Sequence, residues 1–266
     1  MALVPAPQRL ADLHWLRLER IRLAAFRRLS RGRLVDLDPG VAARVVLAAQ
    51  RTAVAQTDAY MAVAASMVLD APVEPVGLDA EPLIGVRARH GRPLEEVYGG
   101  VRRVARQDGF DRGLAYLRQQ IMTDAALAQR NAAHAIAEAD DSVAGWRRVL
   151  NPAGGNVCGM CVAASTRVYG RSDLQPIHRQ CRCTVQPIHD SSFTGRVLDR
   201  ARLEAVYERS GGSTRREDLF RIRIPEDGLP EGVDSAALDA LNVRVVNDPE
   251  LGVSLDADRH DSHFSL

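Results

Sequence analysis

Residues 145–188 read GWRRVLNPAGGNVCGMCVAASTRVYGRSDLQPIHRQCRCTVQPI. Upstream of this stretch the apolar residues keep a helical period. Within it the apolar runs shorten to a few residues set between Gly, Asn, Asp and Pro, which predicts hairpin-like pieces beginning with a short strand at Trp146–Leu150. All four cysteines fall here, as Cys158-x2-Cys161-x16-His178-x2-Cys181-x-Cys183. A Cys-x2-Cys turn sets two thiolates at adjacent corners of a tetrahedron and turns backbone N–H groups toward the sulfurs. A second cluster one hairpin away supplies the other two corners, close to the spacing of structural zinc sites. Gly155 and Gly159 suit the tight backbone of such a knuckle.

Five residues compete for four positions. Cys158 and Cys161 fill two, and the others come from His178, Cys181 and Cys183. A site of three cysteines and one histidine and an all-cysteine site both remain open. The alternatives are a redox pair, which lacks a surrounding βαβ pattern, and disulfides or metal-free thiols. Four protein ligands leave no open position for water, so a catalytic zinc is disfavoured. The segment is short, polar and poor in aromatics. A Zn2+ clip would supply folding energy that so small an interior lacks.

Working back toward the N-terminus, residues 8–33 read as a helix with Leu18, Ile21, Ala25 and Leu29 on one face and Trp15 and Phe26 at its flank. Arg17, Arg20, Arg27, Arg28 and Arg31 occupy a separate arc, either a solvated basic face or a contact for DNA or an acidic protein surface. Asp38-Pro39 starts a second helix, which should run to about Leu69. Its Ala- and Val-rich surround predicts burial against other helices or other chains. Residues 70–93, with four prolines and three glycines, read as a linker or an extended wrap. Helices resume at Pro93–Gln107 and about Asp111–Asp140. The second of these places Leu114, Leu117, Ile121, Ala125 and Ala128 on one face, with His134 near its end. Beyond Asp190 one further helix, Arg196–Arg209, precedes a loop-rich, acidic tail. The fold class expected is therefore α+β, mainly α: a helical N-terminal block, a small zinc-clipped β-hairpin module, and the tail. The division expected is 1–70, a linker at 71–92, a domain at 93–190 and an extension at 191–266.

Composition fits a folded chain: 46% apolar and 26% charged residues. The longest nearly apolar run, Met61–Leu69, is far too short to span a bilayer. The first residues lack the pattern of a secretory signal, so the expectation is a reducing compartment, where clustered cysteines point to metal before disulfides. Residues 1–50 hold nine arginines against four acids, whereas 221–266 hold four against ten, and there is no lysine. An Arg-only set fits a GC-rich genome, and it also suits phosphate or carboxylate forks. No GxGxxG, Walker A, HExxH or GxSxG motif occurs, and Glu95-Glu96 and Asp140-Asp141 read as surface or helix-end charges. The pair His260 and His263 reads as part of a tail rather than a metal site. No catalytic residue is expected.

The run at 145–188 resembles the signature of the phage Mu protein F-like family of minor head proteins. Cys158 and Cys161, then Tyr169, then His178, Cys181 and Cys183 before Thr184-Val185 follow that family's order. CGMCVAAS, LQPIH and the C-terminal PELGVSL are similar to homologues from tailed phages of actinobacteria. The resemblance is specific over about 145–188, looser over about 90–145, and limited to helical character before that. It implies a structural, non-enzymatic head-morphogenesis protein, present in several copies on the inside of the capsid at the portal vertex after assembly in the host cytoplasm. The implied partners are the portal protein, the major capsid protein and packaged double-stranded DNA, with no membrane. Arg17, Arg20, Arg27, Arg28 and Arg31 would face the DNA or an acidic portal surface. The alternative is a zinc-ribbon-like nucleic-acid-binding protein acting outside a virion.

Overall fold

The computed structural model describes residues 6–150, 157–171, 183–189, 200–224, 243–248 and 252–257. Helix α1 (Ala6–Leu29) buries Trp15, Leu18, Ala25 and Leu29, the face its periodicity marks. A 3-10 turn at Leu34–Asp36 redirects the chain. Helix α2 (Pro39–Leu69) begins where Asp38 accepts hydrogen bonds from the N–H groups of Gly40 (2.8 Å) and Val41 (3.2 Å), with Pro39 at the first helical position. It ends at Asp70, whose left-handed backbone (φ 51°) stops propagation. Burial of α2 is less complete than its composition suggests. Ala42, Val46, Ala53, Val54 and Met61 are inside, whereas Val63, Met67, Val68 and Leu69 are exposed.

Residues 71–92 form the wrap. Asp58 on α2 accepts from three successive backbone N–H groups, those of Val76 (2.9 Å), Gly77 (2.8 Å) and Leu78 (3.1 Å). Gly77 has φ 76°, which a side chain would oppose. A 3-10 turn at Glu81–Leu83 and the single-turn helix α3 (Gly85–Ala88) follow, and Ile84, Ala88 and Arg89 are buried. Helix α4 (Leu94–Gln107) and the long helix α5 (Phe110–Ala139) complete the bundle. Residues from both sides of the wrap share one core: Ala25, Val46, Val97, Tyr98, Val101 and Leu117 belong to a single apolar cluster.

A buried polar cluster fixes the wrap to α5. Arg89 donates from Nε to Asp124 Oδ1 (2.7 Å), and Tyr98 donates its hydroxyl to Asp124 Oδ2 (2.6 Å). Gln50 donates to the Asp124 carbonyl (3.1 Å) and accepts from the N–H of Gly85 (3.0 Å). Tyr98 and Asp124 are fully buried, and burial, with the Asp124 carboxylate next in weight, holds the Tyr98 hydroxyl well above the ordinary tyrosine range.

After α5 the period changes, as the sequence predicts. Strand β1 (Gly145–Val149) is followed by β2 (Val157–Cys158), helix α6 (Gly159–Ser165), β3 (Val168–Gly170) and β4 (Thr184–Ile188). Strand β1 is central in an antiparallel sheet of order β3-β1-β4, with Trp146 opposite Tyr169 on one side and Pro187 on the other. Pro187 is compatible with pairing because β4 is an edge strand. Trp146 is fully buried and joins Val185 to Tyr60, Met61, Ala133 and Ile136, so the sheet is docked on α2 and α5. Helices α7 (Arg200–Arg209) and α8 (Arg216–Arg221) lead into β5 (Arg223–Ile224), which pairs with β2. Strands β6 (Val243–Asp248) and β7 (Gly252–Ala257) form an antiparallel hairpin. The mainly helical chain with a small antiparallel sheet agrees with the expected class. Two local features differ. The cysteine region contains a helix as well as strands, and part of the segment expected to be loop-rich is helix and strand.

Candidate metal centre

Cys158 ends β2 and is the N-cap of α6, with extended backbone (φ −71°, ψ 147°). Its Sγ accepts the backbone N–H of Cys161 at 3.3 Å. This is the N–H-to-sulfur contact that a Cys-x2-Cys turn predicts, and it arises because the chain bends into the first turn of a helix there.

Gly159 serves this turn, though not by a left-handed conformation. A Cβ at Gly159 would lie 2.8 Å from the Leu219 carbonyl oxygen and 3.1 Å from Ile222 Cβ, while its N–H donates to the Ile222 carbonyl at 2.9 Å. The glycine is needed for close approach of the knuckle to the α8–β5 segment. Gly155 lies outside the described residues.

Cys158, Cys161, Ala164 and Phe220 form one buried cluster, against which half-buried Cys183 and Tyr169 pack. Cys183 stands one residue before β4, so the docking of β4 on α2 also positions this cysteine. Behind α6, Val162 and Ala163 pack on Leu203, Val206, Leu219 and Ile222. These residues of α7, α8 and the segment before β5 complete the module and were missed by a reading that closed it at 188. Their available signal was the apolar spacing Leu203–Val206 and the Leu219-Phe220 pair.

Tyr169 pairs across the sheet with Trp146. The Arg148 guanidinium lies 5.8 Å from the centre of the Tyr169 ring. Burial raises the pKa of this tyrosine, opposed by Arg148 and Arg167 and supported by Cys183. Trp146 donates its indole N–H to the Arg171 carbonyl (3.1 Å), Arg171 pairs with Asp141 (3.3 Å), and its guanidinium also donates to the Ala137 carbonyl. The chain end of β3 is thereby tied to the C-terminus of α5.

Of the five expected ligands, Cys158, Cys161 and Cys183 belong to or pack on one cluster, and His178 and Cys181 lie outside the described residues. Among the described residues no group of three or more His, Cys, Asp or Glu is placed to hold a metal ion. His260 and His263 also lie outside the described residues.

Arg17, Arg20, Arg27 and Arg28 are exposed on α1, and Arg31, also exposed, lies two residues past its end. They are not alone there: Leu13, Leu16 and Leu23 are 47%, 44% and 37% exposed, so the surface is mixed basic and apolar. Among the described residues no helix is long and apolar enough to cross a membrane. Comparison with family models, with curated proteins and with solved structures finds no match to this chain.

Proposed function

We propose that this chain is a structural minor head protein of a tailed bacteriophage. It sits inside the capsid at the portal vertex, in several copies, and supports head assembly and genome packaging or delivery. Its module around 145–188 is clipped by a structural Zn2+ on Cys158 and Cys161 with two of His178, Cys181 and Cys183. The mixed basic and apolar face of α1 meets the portal protein.

The observation that carries this reading is the order Cys158, Cys161, Tyr169, His178, Cys181, Cys183. Support comes from the contact of the Cys161 N–H with the Cys158 sulfur and from the packing of Cys183 against the same cluster. The fully buried Trp146, joined to Val185 and leaning on α2 and α5, gives a reason for the clip. The clip holds together β3 and β4, the two strands that flank that indole.

A reconstruction of heads that contain the chain tests the assignment. Density for a helical bundle is expected on the inner side of the portal vertex. Heads that lack the chain, with all of it in the soluble fraction, would overturn the assignment and favour a nucleic-acid-binding protein acting outside the virion.

A further inference from the structure

Helix α4 carries its charge in two blocks, Glu95 and Glu96 in the first turn and Arg102, Arg103 and Arg106 toward its end. This order complements the helix dipole. Val97, Tyr98, Val101 and Ala105 face the core. The opposite face bounds an open cavity of about 490 Å³, lined by Arg92, Glu96, Gly99, Arg102, Arg103 and Arg106, with Gln107 at its end. Positions 96, 99, 103 and 106 of α4 recur at intervals of three and four and so share one face, and Arg92 stands two residues before the helix. Gly99 is its floor. A Cβ there would meet nothing nearer than Pro39 Cγ at 3.9 Å, so packing does not demand the glycine, and its effect is to leave room between the arginines. At the rim, Arg106 donates to the Val35 carbonyl (2.9 Å), which restrains its guanidinium.

We propose that this cavity binds the phosphate backbone of duplex DNA, without regard to sequence. Four guanidinium groups face a single carboxylate, Glu96, for a net charge of +3 (four minus one). Planar guanidinium forks match phosphate oxygens. The lining contains no aromatic side chain, which single-strand binders use to stack bases. It contains no apolar side chain either, whereas protein interfaces concentrate their energy in buried apolar and aromatic anchors. A phosphate-only contact remains. The helical face runs roughly 15 Å from position 96 to 106, alongside roughly four phosphates of one strand. The α1 surface differs by its exposed leucines, and it suits a protein partner. The choice of DNA as the polyphosphate rests on the head-protein reading, whereas the phosphate chemistry rests on the cavity alone.

The test uses the full chain, a 20-base-pair duplex of arbitrary sequence and fluorescence anisotropy over a range of NaCl concentrations. The variant R92Q/R102Q/R103Q keeps the Arg106 contact with Val35. It is expected to bind at least about tenfold more weakly, and its dependence of log K on log salt should be shallower by about 2.7, for three lost phosphate contacts. The variant R147Q/R200Q/R215Q, three exposed positions away from both α1 and α4, should bind within about twofold of the parent. If the α4 triple variant fails to fold, R103Q alone, on an exposed side chain, should still flatten the salt dependence by about 0.9. Unchanged binding by the α4 variants overturns the proposal, as does a parent chain that binds polyglutamate and not the duplex. Binding through α4 by a chain that is absent from heads would uphold the cavity and sink the head-protein reading. The reverse result would sink only the cavity.

Discussion

His14 is 2% exposed and stacks on Tyr60, with ring centroids 4.2 Å apart and planes 9° from parallel. Its Nε2 lies 3.4 Å from Gln129 Nε2, so the neutral ring accepts from the amide. Burial, then the charges of Arg22 and Arg17, lowers its pKa from 6.5 to about 3. The folded chain therefore refuses a proton that the unfolded chain accepts between about pH 6.5 and pH 3. Stability is flat above that window on this account and falls as pH falls through it, by at most about 1.4 kcal/mol per unit. At pH 5 the loss assigned to His14 is about 2 kcal/mol. His14→Phe preserves a ring against Tyr60 and removes the titration. Urea unfolding at pH 7.5 and pH 5 should show a drop in the parent that exceeds the drop in the variant by that amount. Equal drops would place the acid sensitivity elsewhere. Nothing in the sequence around His14 distinguishes it from a surface histidine. Its environment exists only once α1 lies across α2 and α5.

The four long helices α1, α2, α4 and α5 were legible, α1 and α5 from an apolar stripe with a helical period and α2 from an Asp-Pro start whose capping bonds are present. The wrap between α2 and α4 was legible only as Pro- and Gly-rich chain. What anchors it are single polar side chains, Asp58, Gln50 and Asp124, on otherwise apolar helical faces, and no period announces their partners many residues away. Helix α6 escaped for a different reason. Seven residues, GMCVAAS, are too few to show a period, and their helix is stabilised by packing on α7 and α8 rather than by propensity. The turn at Cys158 and Cys161 was legible from spacing alone, but the reason for Gly159 needed the backbone of Leu219 beside it. The Arg89–Asp124 pair has a measurable consequence for the wrap. Both side chains are almost fully buried. Arg89→Met should leave the Asp124 carboxylate with only the Tyr98 hydroxyl from a side chain and cost about 3–5 kcal/mol in urea unfolding. Adding Asp124→Leu to that variant should recover part of the loss, because the stranded charge is removed. A double variant as unstable as the sum of the two single variants would show that the pair acts independently of each other's charge.

At the scale of the whole molecule, the apolar interior is split. Val46, Val97, Tyr98 and Leu117 centre a core made by α1, α2, α4, α5 and the 3-10 turn at Leu34–Asp36. Cys158, Cys161 and Phe220, with Val162, Leu203 and Leu219 beside them, form two small clusters around α6. Trp146 is the hinge between these parts, since β1 rests on the bundle while its neighbours β3 and β4 are joined by the segment that carries His178 and Cys181. If Zn2+ closes that segment, its removal should fray β3 and β4 away from Trp146 without melting the bundle. The chain has two tryptophans, so Trp15→Phe makes Trp146 the sole indole reporter. The expected outcome is about one zinc per chain, a red shift of Trp146 emission on chelation, and retention of most of the helical circular dichroism. Cys158→Ser should reproduce the shifted emission before any chelator is added. An unshifted spectrum and an unchanged melt, in protein from which no zinc is released, would mean that the sheet is held by Trp146, Val185 and the α2–α5 surface alone. The cysteines would then be packing residues of the α6 clusters.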